Sequence, residues 1–457
     1  MMSLTNSSPG EIAKSASIAS RLLATLSGAE RDDALTALHE AIAKSRNDIL
    51  AANSRDVAAA ERAVEAGVLN QSVLKRLDLS RPGKFEDMLQ GILSVRDLQD
   101  PVGNVTMRTL LDDGLTLEKV SCPIGVLLII FEARPEVIAN IAALSIKSGN
   151  AAILKGGKES TESFMAISKV ISEAIAHTQV PKASIQLVET REVVSSLLAQ
   201  NTYIDLVIPR GSKDLVRFVQ DNTKIPVLGH ADGLCSAYIH RDADPDVALK
   251  VIVDSKTDYP AACNSLETLL VHEDVLHTIF PAVAEALLAK GVSLRCDPSS
   301  KEALSSKIVG QQHSLVSDAV ESDYETEFLD LILAVKTIPG DDSPGKSLDA
   351  AIAHINRHSS KHTDMIVTRS RSTAERFMNG VDSAGAFWNA STRFADGMRY
   401  GFGTEVGIST NKVHSRGPVG LDGLTIYKYK VRGQGHRAAD YSGTGSGKSW
   451  KHEALPL

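Results

Sequence analysis

Cysteine is scarce in this 457-residue chain: there are four, Cys122, Cys235, Cys263 and Cys296. No two stand at a metal-ligand or dithiol spacing, and nothing suggests a disulfide framework. That excludes a stapled secreted module and fits a reducing compartment. An excess of positive charge is also missing. The net charge of −7 argues against a general nucleic-acid binder. Long apolar runs are absent too; the longest, Ile124 to Phe131, is far too short to span a bilayer. The start, Met1 to Leu23, has neither a long apolar stretch nor a cleavage pattern. Its serines, Lys14 and Arg21 have the flavour of a mitochondrial address, but Glu11 counts against one. A cytoplasmic protein with no membrane partner and no nucleic-acid partner is expected. Finally, no Gly-x-Gly-x-x-Gly follows a strand, so the usual dinucleotide fingerprint is lacking. Gly443 to Ser449 imitates a nucleotide loop, but Ser442 stands where a glycine is needed and no strand precedes it. That end reads as a flexible, Gly/Ser-rich tail.

What is present is ordinary globular material, 43% apolar and 23% charged, long enough for two or three domains. Ile12, Ala16, Ala19 and Leu23 recur at helical spacing, as do Leu35, Leu38, Ile42 and Ile49, then Met88, Ile92 and Val95. Between Pro101 and Val120 apolar residues alternate around Asp113-Gly114, the signature of a hairpin. Such a hairpin projects and is suited to pairing with another subunit. From Ile124 short apolar runs alternate with helical stretches. Strands are expected at 124–131, 151–154, 185–188, 204–208 and 225–228, and after a hinge at Gly229–Gly233, at 237–240, 266–271, 292–296, 331–337, 365–368 and 386–389. Alternation of this kind predicts parallel sheets covered on both faces.

Three stretches carry chemistry. Cys263, in Tyr259-Pro260-Ala261-Ala262-Cys263-Asn264, lies among small residues on a loop that enters a strand. A free cysteine is commonly just a small buried hydrophobe; on a reachable loop its thiolate is a nucleophile. At the end of 151–154, Lys155 and Lys158 straddle Gly156-Gly157. At the end of 204–208, Gly211-Ser212 opens a helix and offers backbone N–H groups to a phosphate. Two such sites on one sheet edge favour a phosphate-rich cofactor. Each alone is weak, because lysines usually face solvent and Gly-Ser turns are common.

With these in place the chain resembles the aldehyde dehydrogenase superfamily, and within it the family that reduces γ-glutamyl phosphate. The resemblance rests on Phe131 to Val137, Ser148 to Glu159, Val227 to Gly233, Tyr259 to Asn264 and Trp388 to Gly397, and runs from about Ile12 to Gly433. It implies an α/β fold of the aldehyde dehydrogenase type, with two parallel-sheet α/β domains and a small β oligomerisation element. The expected parts are an NADP-binding domain (1–100 and 121–228), a catalytic domain (229–412), an oligomerisation element (101–120 and 413–433) and the flexible tail (434–457). The implied reaction converts γ-glutamyl phosphate and NADPH into glutamate 5-semialdehyde, phosphate and NADP⁺, in a homo-oligomer, with a glutamate kinase as a candidate partner.

Carried over by position, Cys263 is the nucleophile, and backbone N–H groups at Cys263 and Asn264 stabilise the oxyanion. Lys155 contacts the adenosine ribose. Lys158 stands where NAD-preferring relatives carry a glutamate, so NADP is expected over NAD. Gly211 and Ser212 match the pyrophosphate loop, and Glu327 falls near the glutamate holding the nicotinamide ribose. Hydrolytic relatives have a base glutamate near His230 and an oxyanion asparagine near Ala133, and both are missing here. Their absence speaks against the alternative, an NAD-dependent hydrolytic aldehyde dehydrogenase. Arg134 could grip the phosphate or form a salt bridge; His230 could relay a proton, touch the phosphate, or be a hydrogen-bonded loop histidine. Arg393 and Asp396 are candidate anchors for the amino-acid end of the substrate. No metal site is expected.

Overall fold

Ser8 and Ser27 each open a helix by the same device. Each side chain accepts the N–H three residues on, and Glu11 or Glu30 accepts the cap's own N–H in return, so helix-start amides are satisfied reciprocally. The helices begun this way are α1 (Pro9–Leu23) and α2 (Gly28–Lys44); α3 (Arg46–Glu65), α4 (Gln71–Leu77) and α5 (Lys84–Arg96) follow. The apolar stripes expected from spacing, from Ile12 and Leu23 to Met88, Ile92 and Val95, are buried.

The structure, a computed structural model, describes residues 7–69, 71–132, 134–188, 191–229, 232–305, 310–340, 345–441 and 447–457. The chain divides into two compact units. The first is Met1–Leu228 with Gly401–Gly407 and Val419–Leu457; the second is Gly229–Tyr400 with Ile408–Pro418. Residues 401–407, expected in the second part, therefore pack with the first. Among the described residues no helix is long and apolar enough to cross a membrane.

In the first unit β1 (Val105–Asp112) and β2 (Leu115–Pro123) pair antiparallel around Asp113-Gly114, with Gly114 at φ +75°, a conformation open to glycine. A parallel sheet follows: β3 (Val126–Phe131), β4 (Ala151–Lys155), β5 (Ile185–Val188) and β6 (Leu206–Arg210), in the order β5-β4-β3-β6. Leu127, Ile129 and Phe131 of β3 enter one core, and Val126, Leu128 and Ile130 enter another. Burial on both faces explains the unbroken apolar run. Helices α6 (Val137–Lys147), α7 (Thr161–Ile175), α8 (Arg191–Leu198) and α9 (Lys213–Asp221) alternate with these strands. The strand expected at 225–228 shrinks to one bridge, Val227 with Val207. Pro226 has no N–H to extend the ladder.

In the second unit β7 (Cys235–Ile239), β8 (Leu266–His272), β9 (Ser293–Cys296), β10 (Val316–Asp318), β11 (Ile332–Ile338), β12 (Thr363–Val367) and β13 (Gly385–Trp388) form a sheet in the order β10-β9-β11-β8-β7-β12-β13, with every pair parallel. The helix α10 (Pro245–Thr257), capped by Asp244, links β7 to β8. Strands β11, β8 and β7 are neighbours, and the segments leading into them carry Glu327, Cys263 and Gly233. A parallel arrangement thus gathers three loops at one sheet edge.

Later in the chain β14 (Gly407–Ser409) pairs with β15 (Gly417–Val419). β16 (Thr425–Arg432) pairs antiparallel with β2, and β17 (Glu453–Ala454) pairs antiparallel with β1. The flexible tail expected over 434–457 is corrected here for the described residues. The Lys451 N–H donates to Leu111 O and the Leu455 N–H to Arg108 O, both at 2.9 Å. Trp450 stacks on Tyr441 at 4.1 Å, and the Tyr441 hydroxyl donates to Asp112 at 2.6 Å. The outer edge of β1 offers unpaired backbone groups, and pairing them with an aromatic anchor outweighs the tail's Gly/Ser composition.

Candidate active site

Cys263 sits in a turn just before β8 and is half-buried, whereas Cys235 and Cys296 are buried. Burial pushes the Cys235 thiol up strongly and the Cys296 thiol to about 12, and it raises Cys122 as well. These three are poor sources of a thiolate near neutral pH. The turn is built from its own amides: Ala262 N–H donates to Tyr259 O and Ser265 N–H to Ala262 O, at 3.1 and 2.9 Å. Among the described residues, the Cys263 and Asn264 amides donate to nothing, which leaves them for an oxyanion. Gly233 presses on the turn. A Cβ built there would lie 2.3 Å from Cys263 O and 2.6 Å from its Cα, so only glycine fits this approach. The Gly233 N–H donates to Glu327 Oε1 at 3.0 Å, which joins the candidate ribose-holding glutamate to the cysteine turn.

The Asn264 side chain is a staple. It is 4% exposed. Its Nδ2 donates to Ala395 O at 2.9 Å, and the residue's backbone carbonyl accepts from the Thr392 hydroxyl at 2.7 Å. These bonds fix the 391–396 loop to the turn. On that loop Arg393 is buried and its Nε donates to Asp258 at 3.1 Å. Arg399 also donates to Asp258, at 3.3 Å, and to the Arg393 carbonyl. Burial alone would raise the Asp258 carboxyl, but bonds from Arg393 and Arg399 hold it below its usual range. Asp396 Oδ1 accepts the Met398 and Arg399 amides at 2.9 and 3.2 Å, and so shapes the loop.

In the first unit Lys155 ends β4 and turns its Nζ onto the Gly156 carbonyl. A Cβ on Gly156 would fall 1.7 Å from the Phe164 ring, so this glycine serves helix packing. Lys158 is exposed at the start of a single 3₁₀ turn. Arg134 is half-buried in the loop after β3 and lies near Lys84; Ala133 and His230 lie outside the described residues. Ser212 stands at the N-cap position of α9 with no side-chain capping bond, and its N–H donates to the Glu132 carboxylate at 2.9 Å. Both loops lie at the carboxyl ends of β3 and β6, where the strand order reverses, the usual crevice for a nucleotide. The helix-start amide there, with Lys155 and Lys158 at the carboxyl end of the adjacent strand β4, fits a phosphate-bearing cofactor. Glu132 occupies that amide, so a phosphate must displace it.

Sequence reasoning missed Glu132, Asp258, Thr392 and the buried pair Lys256–Glu267, whose Nζ and Oε2 are 2.8 Å apart. One signal was visible: a charged residue inside the apolar run of β8 demands a buried partner.

The sequence model of the aldehyde dehydrogenase family matches residues 3–325. The chain belongs to that family, whose oxidoreductases use a nicotinamide cofactor. It is similar to the probable γ-glutamyl phosphate reductase of Schizosaccharomyces pombe, 56% identical over 98% of this chain and 97% of the other. It is likewise similar to the γ-glutamyl phosphate reductase of Saccharomyces cerevisiae, 51% identical over 99% of each. The crystal structure of γ-glutamyl phosphate reductase from Thermotoga maritima superposes with a TM-score of 0.86 at 37% identity, covering 94% of this chain and all of that one.

Proposed function

We propose that this enzyme reduces γ-glutamyl phosphate to glutamate 5-semialdehyde and phosphate, with NADPH as reductant and Cys263 carrying the acyl group, the second step in making proline from glutamate. The observation that carries the reading is a half-exposed thiol beside two unspent amides, in a chain so similar to enzymes of that name.

The Cys263 sulfur attacks the acyl carbon, the carbon–oxygen bond to phosphate breaks, and a thioester forms. Amides of Cys263 and Asn264 take up the oxyanion charge. Arg134 and His230, the latter assigned from sequence alone, assist the departing phosphate. NADPH, when bound, supplies the hydride. The Cys263 sulfur then leaves as the tetrahedral adduct collapses to the aldehyde. Dividing the reduction into two steps lowers each barrier. Lys155 and Lys158 hold the adenosine end with its 2′-phosphate, Gly211 and Ser212 the pyrophosphate, and Glu327 the nicotinamide ribose. Arg393 is assigned to the substrate carboxylate and Asp396 to its ammonium group. The sheet built on β1 and β2 is assigned to self-association, with the enzyme working in the cytoplasm on the product of a glutamate kinase.

The test is oxidation of glutamate semialdehyde with and without phosphate, using NADP⁺ and NAD⁺. The reading expects a phosphate requirement and faster turnover with NADP⁺. Steady oxidation of simple aldehydes without phosphate, driven by NAD⁺, would replace it with the hydrolytic alternative.

A further inference from the structure

Glu267 and Lys256 are 1% and 0% exposed, and their contact is the 2.8 Å ion pair between β8 and the last turn of α10. Stability alone is a weak reason for such a pair, because desolvation offsets most of the attraction. Burial pushes Glu267 up to about 7 and pulls Lys256 down, while each works to keep the other charged. The second carboxylate oxygen is not idle. Glu267 Oε1 accepts the Leu329 N–H at 3.2 Å. Leu329 has φ +53°, a left-handed backbone unfavourable for any residue with a side chain. Its side chain is 43% exposed, so packing does not hold it there. Two residues earlier Glu327 accepts the Gly233 N–H at 3.0 Å, and Gly233 abuts the Cys263 backbone.

The contacts form one line: Lys256, Glu267, the Leu329 amide, the loop carrying Glu327, Gly233, Cys263. We infer that Lys256 and Glu267 are a positioning pair that holds the 327–330 loop in its strained form, so that Glu327 meets the cofactor and Gly233 stays against the nucleophile. The inference rests on the proposed function, which gives Glu327 its cofactor role. Glu267 needs a charge-compensating neighbour to be buried, and the loop needs Glu267's oxygen; Lys256 acts through both.

Two double variants separate positioning from stability. Lys256→Met with Glu267→Leu removes both charges and the acceptor for Leu329. Lys256→Met with Glu267→Gln removes the charges but keeps an acceptor. The leucine variant should melt close to the parent or above it, as apolar replacements of buried pairs often do; the glutamine variant, which buries an amide without the lysine partner, should melt lower but stay folded. The leucine variant should weaken NADPH binding by about tenfold in a fluorescence titration without substrate, the loss expected for one hydrogen bond to a charged group. KM for NADPH should rise in step while kcat falls less. The glutamine variant should bind NADPH within about twofold of the parent. A folded leucine variant with parental affinity, or a glutamine variant as weak as the leucine one, overturns the inference. Amide exchange on the parent needs no variant: Leu329 should be protected despite its exposed loop, and free exchange there also overturns it. If the parent itself fails to bind NADPH, the proposed function falls, while the exchange result still reads the loop.

Discussion

Replacing Gly233 with alanine drives a methyl group into the backbone of the nucleophile's own residue. The added Cβ would lie 2.3 Å from Cys263 O and 2.6 Å from Cys263 Cα and Cβ, where ordinary contact begins at 3.4 Å. Backbone atoms cannot swing aside as a side-chain end can. Either the Cys263 turn or the Gly233 segment must move by close to an ångström, and the bond from the Gly233 N–H to Glu327 moves with it. Overpacking of this kind costs about 1–3 kcal/mol of stability. A nucleophile displaced by about 1 Å costs on the order of 100-fold in rate, about 2.8 kcal/mol of barrier by the usual conversion of about 1.4 kcal/mol per tenfold. The assay is NADPH oxidation with γ-glutamyl phosphate, beside thermal melting and the rate of Cys263 alkylation. Gly233→Ala should fold with a lowered melting temperature and lose most of kcat/KM. Activity within about threefold of the parent would refute the claim that Gly233 sets the position of the thiol.

Other outcomes follow from single contacts. Asn264→Ala cuts the staple to Ala395 and should cost about 1 kcal/mol in urea unfolding, with kcat falling more than KM rises. Glu132→Ala removes the acceptor that competes for the Ser212 amide, so NADPH binding should tighten by a few fold in titration; weaker binding would mean that Glu132 shapes the loop instead. Asp258 is depressed in the folded protein, so its contribution to stability is present above the ordinary carboxyl range and is lost as pH falls through its folded value. The stability gap between the parent and Asp258→Asn should therefore be larger at neutral pH than at about pH 3. Ending the chain after Gly433 strips β17 from β1 and should promote self-association, read by light scattering.

Much of the fold was legible because hydrophobic period reports burial directly. The run from Val126 to Phe131 is apolar at every position since both of its faces enter cores, and the alternation around Gly114 marks a real hairpin. Cys263 stood out because small neighbours and a following strand leave a thiol reachable. Partners distant in sequence were not legible. Glu267 signalled that a counter-charge existed, but nothing in the order of residues pointed to Lys256. Gly233 read as a hinge, whereas its lack of a side chain serves close approach to Cys263. The tail misled because Gly/Ser composition describes its intrinsic freedom and not the open edge of β1 that captures it. Pro226 decided against a strand that Ile225 and Val227 favoured.

The most direct measurement mixes the enzyme with glutamate semialdehyde and NADP⁺ while phosphate is withheld. With a thioester on Cys263, NADPH should appear in one burst matching the enzyme concentration, then stall, and resume when phosphate is added; Cys263→Ala should give no burst. Continuous turnover without phosphate, or a burst from the alanine variant, would contradict the account.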